Sequence, residues 1–277
     1  MAFTSFRDKQ LDLSRPHIMG ILNVTPDSFA DGGAFLHLDD ALFQAQKMLS
    51  EGASIIDVGG ESTRPGANLV SVDEELSRVI PVIEAIKQRF DTIVSVDTST
   101  PQVMLESISQ GVGLLNDVRA LTRTGALEVA VNSGLPICLM HMQGSPEMMQ
   151  NNPSYSSVCD DVFTYLSQRA SLCLSLGMTK DQIFLDPGIG FGKSLEHNLT
   201  LINSIDRLTG YGYQVLMGAS RKAMVGQVLN QAVDDRLYGT MGANAAAYAK
   251  GARIFRVHDV KAHYELLELM YRIERED

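Results

Sequence analysis

Eight short apolar runs, each ending in a polar residue and most followed by a helix-patterned stretch, constrain this chain more than any other feature. HIMGILN ends at Asn23, and SIIDV holds Asp57 and leads into GGESTR. TIVSVD ends at Asp97, GLLND passes through Asn116, LPICLMH ends in Met140 and His141, and QIFLD ends at Asp186. YQVLMGASRK reaches Ser220 and Lys222, and ARIFRVH ends in Arg256 and His258. Runs of this length, rich in Val, Ile and Leu, suit parallel strands buried on both faces. In a closed parallel barrel the C-terminal ends of all strands open on one rim, so these polar ends would share one bowl.

The segments between the runs carry helical period. Val72–Phe90 is the clearest, with a stripe of Leu76, Val79, Ile80, Val82, Ile83 and Ile86, and Ser71 with Glu74 predicts a capping box at its start. Pro101–Ser109 opens with proline at the first helical position. Leu38–Leu49, Gly125–Asn132, Ser157–Leu176, Leu195–Leu208, Arg236–Lys250 and Val260–Arg275 complete the set. Strand–helix alternation without a long polar linker predicts one α/β domain over residues 1–277, a (β/α)8 TIM barrel. A doubly wound sheet is the structural alternative. The 277 residues fit one barrel of roughly 250.

A formal net charge of −10 argues against a nucleic-acid partner. No run approaches the roughly 18 apolar residues that span a bilayer, so no membrane partner is expected. MAFTSFRDKQ contains no apolar signal region, and Cys138, Cys159 and Cys173 have no metal spacing. They read as reduced, buried thiols of a cytoplasmic protein.

Arg64, Lys222, Arg256 and His258 fall just beyond strand ends, two of the units being the seventh and eighth, where phosphate sites of this fold cluster. They predict a phosphate or diphosphate site of cations. Asp97, Asn116 and Asp186 are acceptors at the ends of the third, fourth and sixth runs, suited to the N–H-rich edge of a planar heterocycle. Asn23 offers one neutral oxygen, enough for a Mg²⁺ held mainly by a substrate diphosphate. PGIGFGKS, Pro187–Ser194, nearly mimics a P-loop but has Pro187 where the first glycine is required. It reads as a flexible loop whose glycines admit a ligand, with Phe191 able to stack on an aromatic ring. His141, beside apolar residues, reads as structural. Three loops stand out as candidate lids: Thr25–Gly33, Ser62–Asn68 and His141–Asn152.

GILNVTPDSFADGG, IIDVGGESTRPG, SVDTS, the Asn116–Asp117 pair, LMHMQG, LDPGIGFGK, GASRK and RVHDV together resemble the dihydropteroate synthases, in the right order from about residue 12 to residue 262. The resemblance implies a TIM barrel that joins 6-hydroxymethyl-7,8-dihydropterin diphosphate to p-aminobenzoate in folate synthesis. On matching positions, Asp97, Asn116, Asp186 and Lys222 would hold the pterin, with Met140 lining its pocket. Asn23, Thr63, Arg64, Arg256 and His258 would take the diphosphate and Mg²⁺. The aminobenzoate would lie near Phe29, Pro65, Phe191 and Ser220, with Gly218 also in the site. Asp97, Lys222, Arg256 and Asn23 would carry the chemistry. Sulfonamides, which mimic p-aminobenzoate, would compete, and a homodimer is implied, with Ala243–Tyr248 and Leu266–Tyr271 as candidate faces. Ala30, Thr100 and Ile189 depart from common family residues.

Two other readings compete. A methyltetrahydrofolate-dependent methyltransferase uses a similar barrel but would not need Asn23, the long first loop or the Ser-Arg-Lys cations. A pterin-binding protein without turnover would not need an intact anion site.

Overall fold

The computed structural model describes residues 3–25, 34–62, 70–144, 148–149 and 153–276. Two short strands come first, β1 (Phe3–Phe6) and β2 (Lys9–Asp12), paired antiparallel. The barrel strands are β3 (His17–Asn23), β4 (Ala53–Gly59), β5 (Ile93–Asp97), β6 (Leu114–Asp117), β7 (Ile137–Met140), β8 (Ile183–Asp186), β9 (Gln214–Met217) and β10 (Ile254–Val257). They close in the order β10-β3-β4-β5-β6-β7-β8-β9, every neighbouring pair parallel. The doubly wound alternative is excluded by this closure.

The helices are α1 (Ala34–Ser50), α2 (Val72–Arg89), α3 (Pro101–Ser109), α4 (Ala126–Ser133), α5 (Val158–Ser175), α6 (Leu195–Asn203), α7 (Ile205–Gly210), α8 (Ala223–Leu229), α9 (Leu237–Ala249) and α10 (Val260–Arg275). Three local expectations need correction. The stretch 195–208 is two helices, broken at Ser204, whose backbone leaves the helical region. The stretch Ala223–Leu229, which the sequence pattern leaves unassigned, is a helix, α8. At the start of α2, Ser71 Oγ accepts from the Glu74 N–H at 3.3 Å, but the Glu74 carboxylate turns to Arg78 instead of closing a capping box.

The period of two along each strand sorts the interior into layers. Met19, Ile55, Ile93, Leu114, Cys138, Phe184, Leu216 and Ile254 form a fully apolar layer near the N-terminal ends. Phe6 of the hairpin plugs this layer from below, 1% exposed and with its ring 5.8 Å from that of Phe184. Two residues further along the same segments come Ile21, Asp57, Ser95, Asn116, Met140, Asp186, Gly218 and Arg256, five of them polar. Bottom closure by apolar side chains and polarity one layer up leave the C-terminal rim as the place for chemistry. The alternate strand residues pack outward against the helices, including Ile18, Ile56, Val94, Leu115, Ile137 and Phe255. All three cysteines are buried and unpaired, as expected.

Candidate active site

The centre of the rim is one guanidinium between two carboxylates. Arg256 Nε donates to Asp57 Oδ2 at 2.6 Å, and its terminal nitrogen donates to Asp97 Oδ2 at 2.8 Å. Asn116 Nδ2 adds a third donor to this cluster, 3.2 Å from Asp57 Oδ2. Strand register produces the arrangement: Asp97 lies opposite both Gly59 and Asn116, while Arg256 lies opposite Met19. The Asp57 side chain is fully buried, whereas those of Asp97 and Arg256 keep 14% and 20% of their surface open to the bowl. Asp57 is therefore the floor, and Asp97 and Arg256 are the groups a ligand can reach.

The electrostatics follow from this sharing. Burial pushes Asp97 up to about 7, with Arg256 pulling it down and Asp57 pushing it further up. For Arg256, burial opposes the charge, but the Asp57 and Asp97 carboxylates outweigh it and raise the guanidinium above its ordinary value. It stays charged at any working pH. The Asp186 carboxylate also acts on Arg256, which puts β8 and β10 on the same mouth.

Asn23 ends β3 beside this cluster. A Cβ on Gly59 would lie 3.4 Å from Asp97 Cβ and 3.8 Å from Asn23 Oδ1, so the missing side chain there keeps Asn23 and Asp97 around one opening. Asp186 Oδ1 accepts the Gly188 N–H at 2.7 Å, and burial raises its proton affinity, against which Gly188, Lys222 and Lys193 act. A Cβ on Gly218 would meet Asp186 Oδ2 at 3.3 Å, so Gly218 keeps that carboxylate uncovered.

On the β9–β10 side, Ser220 and His258 form a pair. The His258 backbone N–H donates to Ser220 Oγ at 3.1 Å, and Ser220 Oγ lies 2.9 Å from His258 Nδ1. In the arrangement where the hydroxyl donates to Nδ1, the neutral His258 ring carries its N–H at Nε2. Burial, then Arg256 and Arg221, depress His258 to about 4. This corrects the expectation of a cation: at neutral pH His258 offers a hydrogen-bond donor without a full charge. Lys222 Nζ sits 3.9 Å from the centre of the Phe191 ring, and Phe191 packs with Val118, Met140 and Met149. Met140 and Phe191 thus share one apolar patch beside the carboxylates.

The loop read as flexible is pinned. Gly188, Gly190 and Gly192 hold φ of +69°, +82° and +64°. A Cβ on Gly188 would lie 1.8 Å from the His141 carbonyl oxygen, and one on Gly192 would lie 2.5 Å from that of Gln143. These glycines allow close packing against the chain after β7. Thr100 caps a buried network, donating to Glu75 at 2.7 Å and accepting from Arg123, and Ile189 is buried.

Phe29, Ala30, Thr63, Arg64 and Pro65 lie outside the described residues. The described rim brings together Asn23, Asp97, Asn116, Asp186 and Arg256 around Asp57, with Gly218 against Asp186, Ser220 on His258, and Lys222 on Phe191 beside Met140. Asp57 is the residue that sequence reasoning passed over as a site group. The signal was present: a charge in the middle of an apolar strand, two residues before a glycine pair, in phase with Ile55.

A closed parallel barrel with buried carboxylates, an amide and a guanidinium on its C-terminal rim defines a binder of a flat, donor-rich, anionic molecule. The family of pterin binding enzymes matches residues 19–258. A dihydropteroate synthase of Haemophilus influenzae is 53% identical over 95% of this chain and 95% of its own length. A Yersinia pestis dihydropteroate synthase, solved as a sulfonamide drug complex, superposes with a TM-score of 0.93 at 49% identity, covering 99% of this chain and 100% of its own. The Xanthomonas albilineans enzyme, solved with 4-aminobenzoic acid, gives 0.93 at 39% identity over 99% of this chain and 98% of its own. The chain belongs to the pterin binding enzymes and, within them, to the dihydropteroate synthases, transferases of folate synthesis.

Proposed function

We propose that the rim carries out the synthase reaction as a dissociative substitution, with Asp97, Asn116, Asp186 and Lys222 holding the pterin and Arg256 and His258 taking the diphosphate. The reaction joins 6-hydroxymethyl-7,8-dihydropterin diphosphate to p-aminobenzoate, releasing diphosphate and forming 7,8-dihydropteroate. The observation that carries the reading is the Asp57–Arg256–Asp97 cluster, which sets an acceptor and a permanent cation side by side at the open mouth. The carbon that bears the diphosphate is attached to an electron-rich ring. Its C–O bond can break first, leaving a cation spread over the pterin. Carboxylates around the ring favour that charge, while Arg256 and the His258 N–H favour the departing anion. The aromatic amine is nucleophilic when neutral, so the step needs no strong base. The second Arg256 partner, Asp57, keeps the guanidinium in place without consuming its ligand-facing side.

Among the described residues no group of three His, Cys, Asp or Glu side chains has metal-binding geometry. A lone amide oxygen at Asn23 fits Mg²⁺, an ion that prefers few protein ligands plus phosphate oxygens and waters. When bound with the diphosphate, Mg²⁺ would supply charge neutralisation for the leaving group. Thr63 and Arg64 join the diphosphate side and Phe29, Pro65, Phe191, Gly218 and Ser220 the aminobenzoate side in this reading, and sulfonamides compete for the latter. The relatives solved with a sulfonamide drug and with 4-aminobenzoic acid support these two ligand classes.

A cytoplasmic homodimer belongs to the same reading. No helix among the described residues is long and apolar enough to cross a membrane. Leu199 of α6, Val228 and Leu229 of α8 and Tyr238 of α9 are exposed around a groove lined by Ile202, Met224, Val225 and Ala243. An apolar face of this kind supports a two-fold contact there. Of the two candidate faces, Ala243–Tyr248 contributes Ala243 and Ala246 to this groove while Ala247 and Tyr248 are buried in the subunit, and Leu266–Tyr271 exposes Leu269 while Leu267 is buried.

The deciding assay is diphosphate release from the dihydropterin diphosphate, with and without p-aminobenzoate. Release stimulated by the amine, with dihydropteroate formed in equal amount, supports the synthase reading. Pterin binding without release favours the binder, and amine-independent transfer from a methylated pterin favours the methyltransferase.

A further inference from the structure

The near-P-loop lysine, Lys193, is a buried ionisable group that the reaction above leaves without a task. It is 3% exposed, yet its Nζ has three acceptors: the His141 carbonyl oxygen at 3.3 Å, the Phe191 carbonyl oxygen at 3.0 Å and His141 Nδ1 at 3.0 Å. Burial lowers Lys193 to about 7 against the pull of Asp186, and in its ammonium form the side chain has three donors, one for each acceptor. Two of the acceptors belong to the residue that follows β7, and the third belongs to Phe191, midway along the β8–α6 loop. We infer that Lys193 is a positioning residue for the aminobenzoate side of the site: it clamps the loop to the end of β7 and so fixes the Phe191 ring against Lys222. The inference rests on the assignment of Phe191 to the aminobenzoate side.

Several contacts make the clamp specific. With Lys193 as an ammonium, His141 Nδ1 is the acceptor, which places the proton of the neutral ring at Nε2. The imidazole is itself held edge-on by Tyr165, ring centres 5.1 Å apart, and lies 6.0 Å from Tyr155. Tyr155 in turn donates its hydroxyl to the Gly192 carbonyl at 2.7 Å, a second tie to the same loop. Gly188 and Gly192 allow the loop to lie directly on the chain after β7, with no room for a Cβ between them. The loop therefore has one seating, and Phe191 projects from it into the patch of Val118, Met140 and Met149, under the Lys222 ammonium at 3.9 Å. Burial also depresses His141 to about 3, which keeps it the neutral acceptor that the clamp needs. Burial of a lysine on neutral acceptors is costly, and that cost fits a residue kept to hold a neighbour in place.

The test compares steady-state parameters for both substrates in Lys193→Met, His141→Leu and His141→Asn. Lys193→Met keeps the volume but removes all three donors. It should raise the p-aminobenzoate KM by ~10-fold or more while kcat and the pterin diphosphate affinity change by less than ~3-fold. His141→Leu should move the same KM in the same direction, and His141→Asn, whose amide oxygen replaces the Nδ1 acceptor, should restore it to within ~2-fold of the parent. An unchanged aminobenzoate KM in Lys193→Met, or equal losses for both substrates, overturns the inference. Should Lys193→Met fail to fold, the ¹⁵N resonances of His141 in the parent protein decide: an unprotonated Nδ1 with a proton on Nε2 is required, and a protonated Nδ1 overturns the clamp. A parent protein that binds pterin but consumes no p-aminobenzoate would count against the synthase reading instead, and the His141 resonances would still test the clamp.

Discussion

Asp57 and Arg256, 199 residues apart in the chain, meet at 2.6 Å on the floor of the barrel mouth, one fully buried and the other open to the bowl. The pair separates two tasks. Asp57 holds the guanidinium from below, and Asp97 shares it at the surface where a ligand can intervene. Breaking a buried pair by removing one charge costs ~3–5 kcal/mol, because the other is left uncompensated. Asp57→Asn should therefore lower kcat/KM for the pterin diphosphate by ~100-fold or more, although Asp57 itself is out of reach of solvent. Steady-state kinetics on the folded variant, with circular dichroism as the control, check this. Parent-like kcat/KM would remove Asp57 from the site.

Protonation of Asp97 predicts a pH dependence of pterin binding. The N–H donors of the ring favour the carboxylate, so binding selects the deprotonated form and lowers its proton affinity. With Asp97 raised to about 7 in the free protein, affinity is full above that pH and falls as the pH drops through it. The slope approaches ~10-fold per unit at most. Calorimetry with 6-hydroxymethyl-7,8-dihydropterin, which lacks the titrating diphosphate, measures this directly. Asp97→Asn should flatten the profile around neutrality, and an affinity that rises on acidification would contradict the assignment.

How much of this was legible in the sequence depends on the kind of contact. Every strand of the barrel was readable, because burial on both faces makes continuous apolar runs, and the polar residue ending each run marks the rim. The plug was not: Phe6 lies in FTSF, four residues with no period long enough to register, and its role comes from the barrel bottom it meets. Asp57 was visible as a charge within an apolar strand, but its task depends on Arg256, which only barrel closure brings alongside. The charge of His258 depends on burial and on neighbouring arginines, which residue type alone does not reveal. The glycines of Pro187–Ser194 were read as serving a ligand, whereas Gly188 and Gly192 face the chain after β7.

The plug gives a stability prediction that is independent of the active site. Phe6 is 1% exposed and packs on Phe184, and truncating a buried phenylalanine costs ~3–5 kcal/mol through lost burial and the cavity left behind. Phe6→Ala should lower the denaturant midpoint and the melting temperature clearly while the folded fraction keeps parent-like KM values. An unchanged melting temperature would mean that the hairpin does not close the barrel.

Metal removal separates the proposed Mg²⁺ role from a structural one. Chelation should abolish diphosphate release, yet Mg²⁺ alone should leave the melting temperature unchanged, since no cage of three acidic, His or Cys ligands exists among the described residues. Mg²⁺ together with diphosphate should raise it, and Asn23→Ala should weaken that joint effect. Stabilisation by Mg²⁺ alone would point to a site of a different kind.

The most direct measurement of the central claim sets the turnover of Asp97→Asn beside its diphosphate affinity, in single-turnover kinetics and equilibrium binding on the same preparation. If Asp97 stabilises the cationic pterin while Arg256 and His258 hold the leaving group, turnover falls by ~100-fold or more and diphosphate affinity changes by less than ~3-fold. Turnover equal to the parent's, or a loss confined to diphosphate binding, would contradict the account.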